Sequence, residues 1–365
     1  MSGNPFDGED GREVTEPGVF SAAEVGLANR NSGAFLEMLA LDITPVGAHY
    51  LLTHFDVPLL EVGAHRLVFD GAFDAPFEMS LEEIKAEPQV TMPVTMECAG
   101  NGRTGMEPRA FSMPWAYEAV GTAEWTGTPL APLIARAKPQ GGVVDFAFEG
   151  ADFGYDKGVG HAFGRSLTPE ELADLDVLLV YEMNGQPLLP QHGAPLRLIV
   201  PGWYGMASVK WLTRVTAMTE RYQGFQQVGT YRFRQTAEEL GAPVTEIRVK
   251  SLMVPPGVPD WITRKRRLSP GLVRLQGRAW SGAGVPVDKV EVRIGEKWHA
   301  AKVEKPLGRY AWAGWSLDWD AQPGHYVLAC RATDAAGNVQ PMEAEWNLSG
   351  FANNAPHEVE VFVED

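Results

Sequence analysis

Cysteine and long apolar runs are both scarce in this chain of 365 residues. Its two cysteines, Cys98 and Cys330, lie far apart, so the sequence supports neither a disulfide framework nor a Cys/His zinc site. No apolar run approaches the roughly 20 residues that a membrane-spanning helix needs. The glycine fingerprints of dinucleotide-binding and P-loop proteins are also absent, so a nucleotide site has little support.

Positive charge is in deficit, with 31 Lys and Arg against 47 Asp and Glu and a net charge of −16. We expect no nucleic-acid or membrane partner, because such a chain is repelled by phosphate backbones and anionic lipid. A binding site for a small anion would need a local cluster of cations. The polar start, Met1 to Arg30, shows no signal peptide, which predicts a cytoplasmic protein; a periplasmic one would have lost its signal.

The composition, 45% hydrophobic, is that of a globular chain, and the length favours two domains. We predict a polar N-terminal extension over residues 1–35, a first domain over 36–245 and a second over 246–365. In the first domain, Ser80 and Thr168 begin capping boxes that open short helices, and residues 177–181 and 196–200 are typical of strands.

From about Val244 the sequence changes character. A stiff connector, residues 254–259, precedes short segments in which polar and apolar residues alternate: 289–294, 315–319, 326–332 and 358–363. This pattern predicts a small antiparallel β-sandwich of immunoglobulin type, without the paired cysteines of antibody domains. Cys330 follows the alternation and is expected in its core. Its tryptophans are expected in the core and at a subunit interface.

Cys98 lies in a different setting, the stretch Glu97-Cys98-Ala99-Gly100-Asn101-Gly102-Arg103. Glycines allow close approach of the backbone to a bound group, and Arg103 would favour the thiolate. Such a thiol suits a metal ligand or a nucleophile better than core filling.

Further polar groups that could hold a phosphate fall in four local clusters. Their members are Thr53-His54, Gly150-Ala151-Asp152, residues 191–197 with His192 and Arg197, and residues 205–211 with Ser208 and Lys210. Arginine grips phosphate through paired hydrogen bonds, and lysine supplies a point charge. Taken singly, each histidine could instead be a structural core residue and each cation a solvated surface charge.

Several motifs in series resemble the sulfite oxidase family, which includes eukaryotic assimilatory nitrate reductase. In the first domain these are ECAGNGR, the stretch Tyr181–Leu188 followed by HGAPLRLIVPG, and VKWL at residues 209–212. In the second they are GRAWSG at 277–282 and WNLSG at 346–350. The resemblance, over roughly residues 40–362, implies an α+β protein: a mixed α/β molybdopterin-binding domain followed by an immunoglobulin-like dimerisation domain, in a homodimer.

The resemblance also implies roles for individual residues. Cys98 falls on the cysteine whose thiolate binds molybdenum, a soft donor for a metal held by the dithiolene of a pterin. Arg103 and Tyr231 fall on residues that bind the substrate and orient the transferred oxygen. The residues implied in binding the pterin and its phosphate are His54, Asp152, His192, Arg197, Ser208 and Lys210.

Departures from the family pattern concern the substrate. Leu52 stands where the family has a substrate arginine, Thr53 replaces the next asparagine, Gly102 replaces a basic residue, and Ser349 replaces another pocket arginine. Each charge-assisted bond to an oxyanion contributes roughly 1.5 to 3 kcal/mol. We therefore expect slow sulfite turnover and a less charged, perhaps larger substrate, bounded by the remaining pocket residues Arg103, Tyr231, Leu52, Trp115 and Trp203.

Alternatives stay open at this point. Within the family they are a true sulfite oxidase, a nitrate or sulfoxide reductase, and a protein that binds the cofactor but has lost the sulfite reaction. Outside it they are a cysteine hydrolase using Cys98 with His192 as base, and an interaction module. No haem, flavin or nicotinamide motif is found, so electrons would pass to or from a separate partner.

Overall fold

A computed structural model describes residues 20–364 of the chain. In that range the protein is rich in strands, and its α-helices are short: α1 (Ala22–Arg30), α2 (Leu81–Ala86), α3 (Leu130–Ala137) and α4 (Pro169–Asp174). Single turns of 3₁₀-helix occur at Leu36–Ala40, Val46–Ala48, Val62–Ala64, Arg103–Gly105, Pro190–His192 and Gly205–Ala207, and a π-helical turn at Gln226–Thr230.

Both predicted capping boxes form. The Ser80 hydroxyl accepts from the Glu83 N–H at the start of α2, and Thr168 does the same for Glu171 at the start of α4. Reciprocal bonds of this kind satisfy two backbone donors that a helix start otherwise leaves unpaired. The local sequence was therefore sufficient to place these two helices.

The N-terminal segment is only partly described, since residues 1–19 lie outside the structure. Its described part is not a free polar extension, because α1 packs back on the first domain. Glu24 of α1 is fully buried and forms an ion pair with Arg109. Asn31, which caps the end of α1, accepts the backbone N–H of Thr53 at 2.7 Å. The segment thus holds the chain just before His54.

The first domain is built on two five-stranded sheets. Its strands are β1 (Arg66–Gly71), β2 (Phe77–Ser80), β3 (Val90–Glu97), β4 (Val120–Pro129), β5 (Asp145–Asp156), β6 (Val159–Leu167), β7 (Leu178–Met183), β8 (Gln186–Pro187), β9 (Arg197–Ile199), β10 (Leu212–Met218), β11 (Arg232–Phe233) and β12 (Ala242–Pro243). One sheet has the order β2-β1-β10-β5-β6, with β1 and β10 parallel. The other has the order β3-β4-β7-β8, with β9 added alongside β7, while β11 and β12 form a separate pair.

The C-terminal part contains two more sheets. Its strands are β13 (Lys250–Met253), β14 (Val258–Pro259), β15 (Arg266–Leu268), β16 (Gly271–Trp280), β17 (Val287–Ile294), β18 (Lys297–Ala300), β19 (Lys302–Val303), β20 (Ala313–Ala321), β21 (Gly324–Asp334) and β22 (His357–Val363). The order is β13-β16-β20-β19 in one sheet and β14-β15-β22-β21-β17-β18 in the other.

These two sheets enclose one core. In β22, Val359, Val361 and Val363 are buried while Glu358 is exposed, the period of two that a strand imposes. Trp315 and Trp319 enter the same core from the opposite sheet, and Cys330 is fully buried there, as the sequence predicted.

The two parts also share apolar cores. One core combines first-domain residues such as Leu196 with Trp280, Trp312 and Phe351 of the C-terminal part. A second includes Cys98 together with Tyr310. The boundary predicted near residue 245 therefore separates two segments that pack closely.

Candidate active site

Most of the predicted site residues line a single cavity with about 680 Å³ of empty space. They come from distant places in the sequence: His54, Cys98, Asp152, His192, Arg197, Ser208, Lys210 and Tyr231.

Cys98 follows directly after the last residue of β3. Its backbone N–H donates to Ala119 O at 2.9 Å, and its carbonyl accepts from Asn101 N–H at the same distance. The thiol is nearly buried, and burial raises its pKa. Arg103 lowers the pKa, as the sequence suggested, but burial outweighs it. The protein alone therefore favours the neutral thiol, and a thiolate here would need further positive charge beside it.

Arg103 does not line the cavity. Its Nε donates to Ser349 O at 2.9 Å and its Nη1 to Met113 O at 2.7 Å, while the guanidinium lies over the ring of Phe351. A Cβ on Gly100 would come within 2.6 Å of this guanidinium, so glycine at this position leaves room for the guanidinium where it lies. Arg103 thus bonds the segment around Cys98 to residues outside the cavity.

The two tryptophans that we expected to bound the substrate pocket also lie elsewhere. Trp115 and Trp203 are buried, and neither is among the residues that line the cavity.

Two cations lie in the cavity wall. Arg197 donates to His192 O at 2.8 Å and to Ser208 O at 3.2 Å. Lys210 donates from Nζ to Leu52 O at 3.0 Å and to Gln191 O at 3.1 Å. Among the described residues, neither forms an ion pair with a carboxylate. Asp152, in the same cavity, attracts Lys210 without forming an ion pair with it, so the positive charge of this wall is only partly balanced.

The pKa values of both cations reflect that environment. Burial lowers the pKa of Arg197 to about 10 and that of Lys210 to about 7, and repulsion from Arg197 adds to the shift at Lys210. Charges removed from water without a partner are unfavourable. A bound anion such as a phosphate would remove this cost, which makes the wall a natural anion site.

Neutral histidines stand beside these cations. Burial lowers the pKa of His192 to about 3, with further repulsion from His49 and Arg197. Burial likewise lowers the pKa of His54 to about 4. Near neutral pH both rings are therefore uncharged, each with one donor and one acceptor nitrogen.

His54 and Tyr231 form a hydrogen-bonded pair. The His54 Nε2 lies 2.9 Å from the Tyr231 hydroxyl. Burial raises the pKa of Tyr231, so the phenol keeps its proton. The pair presents neutral hydrogen-bonding groups to the cavity and no formal charge.

Asp152 supplies a free acceptor. Its Oδ1 is buried and has no hydrogen-bond partner among residues 20–364, so it is available to accept a hydrogen bond from a bound group. Burial raises its pKa to about 6, and Lys210 offsets only part of that rise. A ligand N–H would supply the missing bond.

Sequence reasoning missed several residues that line the cavity: His49, Tyr50, Leu51, Met96 and Phe163. Of these, residues 49–51 precede Leu52, and Met96 lies two residues before Cys98. Closeness in sequence to the assigned residues was the available signal. Phe163 of β6 had none, because only the pairing of β6 with β5 brings it to the cavity.

Comparison with known proteins identifies the chain. Residues 54–226 match the model of the oxidoreductase molybdopterin binding domain, and residues 242–364 match that of the Mo-co oxidoreductase dimerisation domain. The sequence is 33% identical to sulfite oxidase of Gallus gallus, over 86% of this chain and 72% of that protein. The chain belongs to the sulfite oxidase family.

One further relative and one solved structure extend the comparison. Mitochondrial sulfite oxidase of Macaca fascicularis is 34% identical over 88% of this chain, which spans 62% of that relative's length. The sulfane dehydrogenase SoxCD from Paracoccus pantotrophus has a similar fold, with a TM-score of 0.77 at 24% identity, covering 97% of this chain and 95% of that one.

The cavity fits the molybdenum cofactor of this family on structural grounds. Arg197 and Lys210 offer unpaired positive charge for a phosphate, Asp152 offers an unpaired acceptor for a ring N–H, and Cys98 offers a thiol. These are the donor types that a pterin phosphate with a sulfur-bound metal requires.

We expect Asp152→Asn to change how stability depends on pH in the cofactor-free protein. Because the folded state holds the Asp152 proton more tightly than the unfolded chain, the free energy of unfolding falls as pH rises from 3.8 through about 6. A shift of about two pKa units corresponds to roughly 3 kcal/mol at most. Denaturant unfolding should show the variant gaining stability relative to wild type between pH 4 and pH 7. An equal difference at both pH values would contradict the assigned shift.

Proposed function

We propose that the protein is a molybdenum-cofactor-dependent oxidoreductase that transfers an oxygen atom between water and a small substrate. The observation that carries the proposal is the convergence of the Cys98 thiol, the unpaired cations and the unpaired Asp152 oxygen on one cavity. A cysteine hydrolase explains the thiol but not the cations. His192 is also poorly suited as its base, because its pKa is lowered to about 3.

In this proposal the residues divide by role. Lys210 and Arg197 hold the cofactor phosphate, and His192 donates or accepts a hydrogen bond beside it. Asp152 accepts from the pterin ring, Ser208 lines the same wall, and Cys98 is the protein's ligand to the metal. When bound, the cofactor supplies the two-electron redox chemistry of oxygen transfer.

The chain's own residues then orient the substrate. Tyr231 can donate a hydrogen bond to a substrate oxygen, and His54, hydrogen-bonded to its hydroxyl at 2.9 Å, fixes the direction of that phenol. Both are neutral near pH 7, so neither attracts an anion by charge. The apolar residues of the cavity, such as Leu52 and Phe163, exclude water beside them.

This arrangement favours a substrate with less charge than sulfite. Leu52 lines the cavity where sulfite oxidases carry an arginine, and the remaining arginine, Arg103, is engaged by Ser349 O and Met113 O. A neutral oxygen donor or acceptor, such as a sulfoxide, matches the His54–Tyr231 pair. A true sulfite oxidase and a nitrate-reducing enzyme are the alternatives within the family.

The finer fold description is part of the proposal. We infer an α+β protein whose C-terminal sandwich is immunoglobulin-like, supported by its four-stranded and six-stranded sheets around one core. The cytoplasmic location stays a prediction. No helix in residues 20–364 has the length and apolar character to cross a membrane.

Replacement of Cys98 by serine tests the central assignment. We expect purified wild type to contain about one molybdenum per chain with an organic pterin. The serine variant should lose turnover and show an altered metal spectrum with an unchanged melting temperature, because an alcohol is a far poorer soft donor than a thiolate. Normal turnover by the variant would show that Cys98 is not the ligand.

The substrate assignment is tested by Leu52→Arg, alone and with Ser349→Arg. We expect slow sulfite oxidation by wild type and a rise in kcat/KM of roughly 10- to 100-fold per restored arginine, the equivalent of one charge-assisted bond. Leu52→Gln is the matched control, since it adds polarity and length without charge. Wild-type sulfite turnover equal to that of arginine-bearing relatives would refute the proposed pocket.

We propose a homodimer on the strength of the match to the dimerisation domain over residues 242–364. Sedimentation equilibrium of the full chain, whose mass is 39.9 kDa, should then give twice that mass at micromolar concentration. A single-chain mass at all concentrations up to that range would contradict the dimer.

A further inference from the structure

The C-terminal part of the chain makes contact with the segment that carries Cys98, here called the cysteine loop (residues 97–103). Lys250 of β13 donates from Nζ to Glu97 Oε1 at 2.8 Å and to Asn101 O at 3.0 Å. Trp280 of β16 donates from its indole N–H to Glu97 Oε2 at 2.9 Å. Glu97 is the residue immediately before Cys98.

The Glu97–Lys250 pair is an unusual place for charge, since both side chains are only 1% exposed. Its hydrogen bonds are nevertheless complete around the carboxylate, which also accepts from Asn101 Nδ2 at 3.0 Å. Asn101 in turn accepts the Ala119 N–H at 3.1 Å. A buried ion pair adds little net stability over apolar side chains, but removing one partner is strongly destabilising. We therefore expect the Glu97–Lys250 pair to fix the position of the cysteine loop relative to β13 more than it adds to the free energy of unfolding.

Further bonds reach the same loop from residues 349–353. Ala352 N–H donates to Ala99 O at 2.7 Å, and Asn353 Nδ2 donates to Gly102 O at 2.7 Å. Ser349 O accepts from Arg103 Nε at 2.9 Å. Residues near both ends of the C-terminal part therefore form hydrogen bonds with the cysteine loop. The bonded loop residues lie on both sides of Cys98.

The loop needs such support because its own sequence is flexible. Gly100 and Gly102 lie within it, and Gly102 adopts φ of 92°, a left-handed conformation. Glycines leave the backbone many alternatives, so the direction of the Cys98 thiol depends on contacts from outside the loop.

We propose that Lys250, with Trp280 and the 349–353 segment, is a positioning element that sets the direction of the Cys98 thiol. In this proposal the C-terminal part helps to position the metal ligand of the same chain, in addition to any role in dimerisation. The proposal rests on the proposed function, in which Cys98 is the metal ligand. Lys250 acts through Glu97 and Asn101 and touches neither substrate nor cofactor in this scheme.

The test compares Lys250→Met with a matched control, Arg278→Met. Arg278, in β16 beside β13, is also buried and also reaches across to the first part of the chain. It bonds Leu39 O at 2.8 Å and Asp42 at 2.7 Å, away from the cysteine loop. Each variant removes one buried cation that bonds across the two parts of the chain. Asp42 is 62% exposed whereas Glu97 is 1% exposed, so the melting temperature of each variant is measured alongside the other readouts.

Three readouts are taken on the full chain: molybdenum per chain, the sulfur-to-molybdenum absorption band, and the rate at which iodoacetamide alkylates Cys98 in metal-free protein. Peptide mass separates Cys98 from the buried Cys330. We expect Lys250→Met to weaken or shift the band and to speed Cys98 alkylation about tenfold or more, since loss of a buried partner opens the loop locally. Arg278→Met should lower the melting temperature while changing the band and the alkylation rate by less than about twofold.

Asn353→Ala keeps the proposal testable if Lys250→Met does not fold. It removes one loop bond and leaves the buried ion pair intact, so a smaller change in the same direction is expected. Equal behaviour of the loop variants and Arg278→Met would overturn the positioning role. Wild type without molybdenum would instead refute the proposed function, while the alkylation rates still report on the loop.

Discussion

The buried ion pair of Glu97 and Lys250 joins β3, which ends immediately before Cys98, to the first strand of the C-terminal part. Such a pair is tolerated only where hydrogen bonds surround it, and Trp280 and Asn101 complete them here. Because the glycine-rich loop beyond it has little rigidity of its own, the direction of the thiol depends on the packing of the two parts. The apolar core that contains Trp280 and Phe351 also holds the two parts of the chain together.

The cavity combines two electrical environments. On one side, Arg197 and Lys210 form no ion pair with a carboxylate of the described chain, and burial lowers the pKa of each. On the other, His54 and Tyr231 are kept neutral by the same burial. The first arrangement favours a permanently bound anionic group, and the second favours a substrate of low charge. Burial therefore has two effects in this cavity. It makes the cations favour a bound anion, and it keeps the groups proposed to contact the substrate neutral.

Much of the fold could be read locally. The capping boxes at Ser80 and Thr168 placed two helices, and alternation placed the β22 strand and the burial of Cys330, because these signals depend only on neighbours in sequence. The order of strands in the sheets and the packing of α1 through Glu24 could not be read in this way, since they depend on contacts between distant residues. Of the predicted site residues, His54, Cys98, Asp152, His192, Arg197, Ser208, Lys210 and Tyr231 line one cavity and Arg103 does not, while Phe163, which also lines it, was not predicted.

The sequence alone determined the kinds of group at the site: one thiol among glycines, scattered cations in an acidic chain, and the motifs of the sulfite oxidase family. Only the tertiary structure decided which of these groups meet. In the folded chain, Arg103 bonds to Ser349 O instead of lining the cavity, and Lys250 bonds to Glu97, 153 residues earlier. The Oδ1 atom of Asp152 has no hydrogen-bond partner among the described residues. The physical reason is that side-chain chemistry is local, whereas burial and long-range hydrogen bonds exist only once the sheets have packed together.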